Sequence, residues 1–306
     1  MRVVETKQWM GHIAAMVTVT FWSFTFVAVS ILLRVFTPFE IILIRFSLAI
    51  AMLYLLYPKR MPKTTWRTEL LFAGAGLTGV TIFFLLQDFA LLNTSASNAG
   101  VIVAISPVFT ATFAWWFSGE ERPKTTFFLG ALLAICGIAL ISFAGTRLEL
   151  NPLGDLLALM AAVCWGFYNV FTKKLSIFGY HVIQTTRRVF VYGLLFLIPV
   201  TFLAGDVRLG MERFAEPWNV AALFFLGLIA SALCFVLWNF AVTQIGPTKT
   251  SIYVFFSPII TVLSSVLILG DALTPMKLSG IALVLSGLAI AKQLLGRRAA
   301  GGTKTH

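Results

Sequence analysis

The sequence predicts an all-α polytopic membrane protein, with ten transmembrane helices arranged as two inverted five-helix repeats around a central cavity. Three observations predict it. Hydrophobic residues fill 59% of the 306 positions and charged residues 11%, too little polarity to cover a water-soluble globule of this size. The apolar positions gather into ten runs of about 20 residues, the length of helix that a hydrocarbon core requires. The second half also repeats the first. "CWGFYNVF" (Cys164 to Phe171) copies "FWSFTFVA" (Phe21 to Ala28), and "SPIITVLSSVLILGD" (Ser257 to Asp271) copies "SPVFTATFAWWFSGE" (Ser106 to Glu120). Five spans per copy is an odd number, so the second copy enters the membrane from the opposite side. Inverted repeats of this kind are the architecture of secondary transporters.

The first repeat, residues 1–145, holds runs at roughly 10–33, 37–57, 69–91, 95–117 and 126–144. The second, residues 152–294, holds runs at roughly 153–172, 182–204, 218–242, 248–269 and 276–294, and a cytoplasmic tail follows at 295–306. Trp9 anchors span 1 at an interface, and the run after it is too long for the core of a cleavable signal. Span 3 ends on Asp88-Phe89-Ala90, which returns in span 8 as Asn239-Phe240-Ala241. Pro107 and Pro258 correspond at the same offset of 151 residues, as do Glu120 and Asp271. Gly130 and Gly137 in span 5, like Gly280 and Gly287 in span 10, share one helix face at seven-residue spacing and predict close helix packing. Asn151-Pro152 is a turn signal opening span 6.

The net charge of +11 does not point to nucleic acid, because the basic residues sit in loops that flank the membrane. Fifteen of them, Lys59, Arg60 and Lys63 included, fall on the side shared by both termini, against five on the other side. By the positive-inside rule both termini are cytoplasmic. Cys136, Cys164 and Cys234 lie inside spans without metal-ligand spacing and read as packing residues. No GxxxxGK[ST] phosphate loop occurs, and His12, His181 and His306 have no nucleophile or carboxylate at motif spacing. The chain therefore reads as neither an ATP-driven pump nor an enzyme, and it calls for no cofactor.

Residues that hydrocarbon would reject mark the candidate site. Trp22 and Trp165 stand at mid-depth, although tryptophan prefers the interface, so they predict a wet or ligand-filled centre. Tyr168 and Asn169 follow Trp165 by three and four positions and share its face. Tyr253 adds a ring. Pro107 and Pro258, each after a serine (Ser106, Ser257), interrupt spans 4 and 9, and paired interruptions are a pointer to a transporter site. Together Trp22, Trp165, Tyr168, Asn169, Tyr253 and Ser257 form the expected substrate contacts, with Pro107 and Pro258 as hinges.

Charges inside spans need a reason. Arg45 and its repeat-equivalent Arg188, with Arg187 beside it, either attract a carboxylate or phosphate or pair with helix-end carbonyls, Glu40 or Asp88. Arg45 reads as structural and Arg188 as open to both roles. Asp88 is a candidate for a coupling proton, although a hydrogen bond to the next loop is the simpler expectation. Lys249 either snorkels to headgroups or, facing the cavity, selects an anion. Glu120 and Asp271 read as caps of helix turns, and Gln87, Trp238 and Asn239 as the lining of a vestibule.

The Trp-bearing first helix of each copy, "LIRF" (Leu43 to Phe46), "ALLNTSASNAGVIVAISPVFTA" (Ala90 to Ala111), the hinge "GEERPK" (Gly119 to Lys124) and the glycine-bearing fifth helix resemble the drug/metabolite transporter superfamily, in particular its EamA-type ten-helix members. The chain departs from that pattern at Asp271, where the hinge acid is usually Glu, and in "GPTKTS" (Gly246 to Ser251), which adds Lys249. The resemblance implies export of amino acids or related metabolites across a bacterial-type inner membrane by alternating access. The aromatic centre tilts this towards aromatic or other neutral amino acids. Two other readings stand beside it: a carrier of organic anions or sugar phosphates held by Lys249 and Arg188, and an integral membrane protein that transports nothing. The oligomeric state is not legible.

Overall fold

The structure, a computed structural model, describes residues 2–144, 151–204, 210, 212–264 and 273–292. Among the described residues the only regular secondary structure is helix. Eight helices are long and apolar enough to cross a membrane: span 1 (Gln8–Leu32), span 2 (Pro38–Leu56), span 3 (Trp66–Asn93), span 4 (Ala96–Ser118), span 5 (Thr125–Ser142), span 6 (Pro152–Ser176), span 7 (Val182–Ala204) and span 8 (Pro217–Ile245). Span 9 starts with Pro247–Ser251 and continues to Ser264, and a shorter apolar helix, Pro275–Ala291, is span 10. The far end expected for span 9, with Asp271, and the tail expected at 295–306 lie outside the described residues.

Helix starts follow from local chemistry. Thr37 and Glu40 close a capping box on span 2, with Pro38 in its first turn. Thr65 and Ser95 cap spans 3 and 4 by accepting from the Thr68 and Asn98 N–H groups. Asn151 accepts from the N–H groups of Leu153 and Gly154, and Pro152 follows it at the start of span 6, as the turn signal predicts. Span 4 ends on Gly119 at φ 69°, a left-handed turn that a side chain would strain.

Five spans depart from regular α-helix. Span 1 breaks at Ser23 and Phe24, between Arg2–Trp22 and Thr25–Leu32. Span 4 breaks after Val103 and restarts at Ser106–Pro107; span 9 tightens into a 3-10 turn over Ile252–Phe256 and restarts at Ser257–Pro258. Proline lacks the N–H that an interior helical position must donate, so each proline sits in the first turn of a new helix. Spans 3 and 8 each contain a π-helical segment, Leu77–Ile82 and Phe225–Leu233, at corresponding places in the two repeats.

Packing follows the inverted repeat. Span 3 lies against spans 6 and 7, and span 8 against spans 1 and 2; span 4 contacts span 6 as span 9 contacts span 1. Spans 5 and 10 pack on each other. Gly130 meets Gly287 and Gly137 meets Gly280, so the two helices run antiparallel. A Cβ on Gly137 would stand 2.6 Å from the Gly280 carbonyl oxygen, and one on Gly130 would stand 2.6 Å from that of Gly287. The glycine faces are packing faces, as expected.

This contact sets a test. Gly137→Ala pushes a methyl into backbone that cannot move aside, so it should destabilise the detergent-solubilised protein by about 1–3 kcal/mol, seen as a lower melting temperature. Gly100→Ala, where nothing lies within 4 Å of the new methyl, should not.

Candidate functional site

The breaks in spans 1, 4 and 9 meet at the centre of the bundle. There a cavity of about 80 Å³ is lined by Trp22 and Thr25 at the break in span 1, Arg45 on span 2, Phe83, Phe84 and Gln87 on span 3, and Ser106 at the break in span 4. Trp165 on span 6, Phe235 on span 8 and Ser257 at the restart of span 9 complete the wall. Its floor is a cluster of rings. Trp22 meets Trp165 edge-on with centroids 5.3 Å apart, and Phe235 at 5.5 Å and Trp238 at 5.1 Å close the group. The Trp22 indole N–H donates to the Ala230 carbonyl (2.8 Å), inside the π-helical segment of span 8. A π turn shifts the backbone bonding pattern locally, and here a carbonyl in that turn accepts from a side chain. Ser23 and Ser257 share a hydrogen bond of 2.9 Å across spans 1 and 9, joining the two helix breaks.

The structure therefore brings Trp22, Trp165 and Ser257 to one cavity. It places Tyr168 and Asn169 elsewhere, and the reason is hydrogen bonding. Tyr168 is fully buried and donates to Asn239 (2.6 Å), whose amide donates to Thr186 (2.9 Å). Asn169 accepts from the Trp238 indole (2.8 Å) and donates to Thr110 (3.2 Å) and the Trp165 carbonyl (3.0 Å). These groups lock spans 4, 6, 7 and 8 together, so Asn169 has its amide engaged and does not reach the cavity wall. Trp238 and Asn239 belong to this lock rather than to a vestibule. Gly79, in the π segment of span 3, leaves room for the Tyr168 ring, which a methyl there would overlap. Tyr253 is half-buried nearer the terminal end of the bundle, where its hydroxyl and His12 Nδ1 share a hydrogen bond of 2.8 Å.

The charged candidates divide in the same way. Arg188 is half-exposed and pairs with Glu69 at 2.6 Å, a carboxylate that also accepts from Tyr192. Arg187 donates to the carbonyls of Tyr57 and Lys59. Glu40 pairs not with Arg45 but with Arg213, at 2.8 Å. Lys249 is exposed in a cleft at the terminal end, shared with Glu120, Glu121 and Lys173. Glu120 does more than end a helix: its carboxylate accepts from the Thr248 hydroxyl and ties the span 4–5 loop to the first turn of span 9.

Asp88 corrects an expectation. It does not hydrogen-bond to the next loop, where Asn98 instead donates to Asp155 and to Thr94. Its carboxylate is fully buried with no hydrogen-bond partner of good geometry. Arg45, expected to be structural, is in part free: Nε donates to Ser231 (3.0 Å) and the guanidinium lies over the Phe84 ring at 4.3 Å, while Nη1 has no partner.

At one end the central cavity shares Phe26, Val103, Val254 and Ser257 with a wider cleft of about 280 Å³. That cleft reaches Ala96 and Ser97 at the start of span 4, Ser142 at the end of span 5 and Lys277 near the start of span 10. All of these lie at the end of the bundle opposite the start of span 1. Towards that start, the His12–Tyr253 bond, the Glu120–Thr248 bond and the close approach of Gly11 to Gln244 hold the helices together.

The EamA-like transporter family matches residues 9–143 and 152–292. An uncharacterized transporter of Archaeoglobus fulgidus is 28% identical over 82% of this chain and 86% of its own length. A "probable terminal-alkyne amino-acid exporter" of Streptantibioticus cattleyicolor is 28% identical over 95% of this chain and 96% of its own. A protein crystal structure superposes with a TM-score of 0.74 over 97% of this chain and 99% of that one; at 18% identity it shows a shared fold alone.

The geometry predicts one-sided access. In a variant lacking Cys136, Cys164 and Cys234, a cysteine replacing Ser257 should react with a membrane-impermeant thiol reagent added on the side opposite the termini. A cysteine replacing Tyr253 should react at least about tenfold more slowly from that side, as expected where packed helices exclude solvent.

Proposed function

Since the chain belongs to the EamA-like transporter family and is a multi-pass membrane transporter rather than an enzyme, we propose that it exports amino acids with aromatic or other neutral side chains. The observation that carries this reading is the central cavity. Trp22, Phe83, Phe84, Trp165 and Phe235 offer apolar stacking surface, and Arg45, Gln87, Ser106 and Ser257 offer polar groups at its rim. Pockets that bind small metabolites combine these two elements. The likeness to an amino-acid exporter at 28% identity supports the same substrate class.

In this reading the protein lies in the inner membrane with both termini cytoplasmic, as the positive-inside bias requires. The cleft then faces outward and the His12–Tyr253 end forms the closed inner gate. One repeat rocks against the other, with the breaks at Pro107 and Pro258 as hinges, and the cavity is exposed to each side in turn. The rival cargo, an organic anion or sugar phosphate on Lys249 and Arg188, gains no support from their position, since neither lines the cavity.

Counterflow tests the proposal. Proteoliposomes preloaded with a mixed metabolite pool should exchange neutral and aromatic amino acids selectively, read by mass spectrometry against protein-free vesicles. A folded Trp165→Ala variant should exchange them about fivefold or more slowly, the effect of losing roughly 1 kcal/mol of ring contact. Exchange of anions alone, abolished by Lys249→Gln, would replace this reading with its rival.

A further inference from the structure

The chain handles two of its acid–base pairs in the way a fold handles structural charge. Arg213 meets Glu40 at 2.8 Å and Arg188 meets Glu69 at 2.6 Å. Arg45 and Asp88 are handled differently. They are the most deeply buried charges described, at 1% and 0% exposure, and their charges are close enough to interact. Yet no ion pair joins them within 4.0 Å, and Arg45 Nη1 has no hydrogen-bond partner. The Asp88 oxygens have none of good geometry, the neighbouring Gln87 side chain being the polar group beside them. Leaving buried charges short of partners is strongly unfavourable in an apolar interior, so a fold tolerates it where a ligand completes the set.

Arg45 is also held in place for such a ligand. Its Nε is fixed on Ser231, its plane is stacked on Phe84, and its side chain lines the central cavity. One arm of the guanidinium is thus fixed, and the other, Nη1, is buried at the cavity wall without a hydrogen-bond partner. Guanidinium is matched to carboxylate by charge and by its N–H geometry. Building on the reading of this protein as an amino-acid carrier, we propose that Arg45 anchors the substrate carboxylate in the central cavity and that Asp88 is its counter-charge. Asp88, next in sequence to the wall residue Gln87, balances the arginine when no substrate is bound and disfavours a second negative charge. The pair therefore selects a molecule bearing one carboxylate beside a positive or neutral group over a sugar phosphate or dicarboxylate. The rings across the cavity take the side chain.

The test uses full-length protein in proteoliposomes and counterflow of labelled L-phenylalanine, competed by L-phenylalanine, by L-phenylalaninamide, which lacks the carboxylate, and by 3-phenylpropionate, which lacks the ammonium. In the wild type the amide should compete about 10- to 100-fold more weakly than the acid, the factor expected for one charge-assisted contact. Arg45→Gln should lose that factor for the acid and leave acid and amide equivalent. Arg45→Lys, which keeps the charge without the planar fork, should restore part of the difference. A folded Arg45→Gln protein that separates acid from amide as the wild type does would overturn the proposal. If Arg45→Gln does not fold, an unchanged acid-to-amide ratio in Arg45→Lys overturns it equally. Exchange of labelled 3-phenylpropionate but not phenylalanine, lost in Arg45→Gln, would keep the anchor and sink the amino-acid reading. A wild type that exchanges no carboxylate would sink both.

Discussion

Within hydrocarbon a polar atom has no water to turn to, so each donor and acceptor must find its partner inside the protein. That constraint explains most of this bundle. Trp238 and Asn239, adjacent on span 8, turn to Asn169 and Tyr168 on span 6; Asn169 extends the set to Thr110 on span 4, and Asn239 itself donates to Thr186 on span 7. The lock is a set of side chains whose hydrogen-bonding capacity is spent on one another. Arg45 is the described charge on the cavity wall whose capacity is not fully spent in this way.

The two repeats share a plan but are not in the same state. Arg45 and Arg188 occupy corresponding places, yet half-exposed Arg188 is paired with Glu69 while buried Arg45 lies in the cavity wall with one guanidinium nitrogen lacking a hydrogen bond. Span 1 is broken at Ser23 and Phe24, whereas its counterpart span 6 runs unbroken through Pro152–Ser176. A carrier built from inverted repeats must be asymmetric at any instant, because a symmetric one would be open or shut at both ends together. The departures from symmetry therefore mark which half is closed.

The sequence carries some of this plainly and some of it not at all. Apolar runs locate the spans because about 20 residues are needed wherever the neighbours lie. Gly137 and Gly280 reveal their contact because only close packing rewards a missing side chain on a helix face. Pro107 and Pro258 reveal their breaks because the missing N–H is a local fact. Tyr168 and Asn169 mislead for the opposite reason. Helical spacing places them on the face of Trp165, but that face is wide, and which edge meets the cavity depends on span 8. Arg45 was hidden similarly: its hold on Ser231 depends on a partner far away in sequence. The π-helical segments left no mark in the apolar pattern, since Leu77–Ile82 and Phe225–Leu233 are hydrophobic or small throughout.

Those segments give spans 3 and 8 a property that their neighbours lack. A π turn accommodates an extra residue within a helix, so the faces on its two sides are set out of phase by one position. Deleting one residue from Phe225–Leu233 would not shorten span 8 in any serious way. It would take out the residue that the π turn accommodates and return the segment to regular α-helix. The same deletion among residues 234–237, in the α-helical part of span 8, would rotate everything on one side by about 100° relative to the other. With that second deletion Ser231 would turn from Arg45 and Ala230 from Trp22, or Trp238 and Asn239 from span 6, depending on which half stayed in place. Span 8 is in this sense a coupling between two dials, one set to the cavity and one to the lock, and the π turn fixes the angle between them.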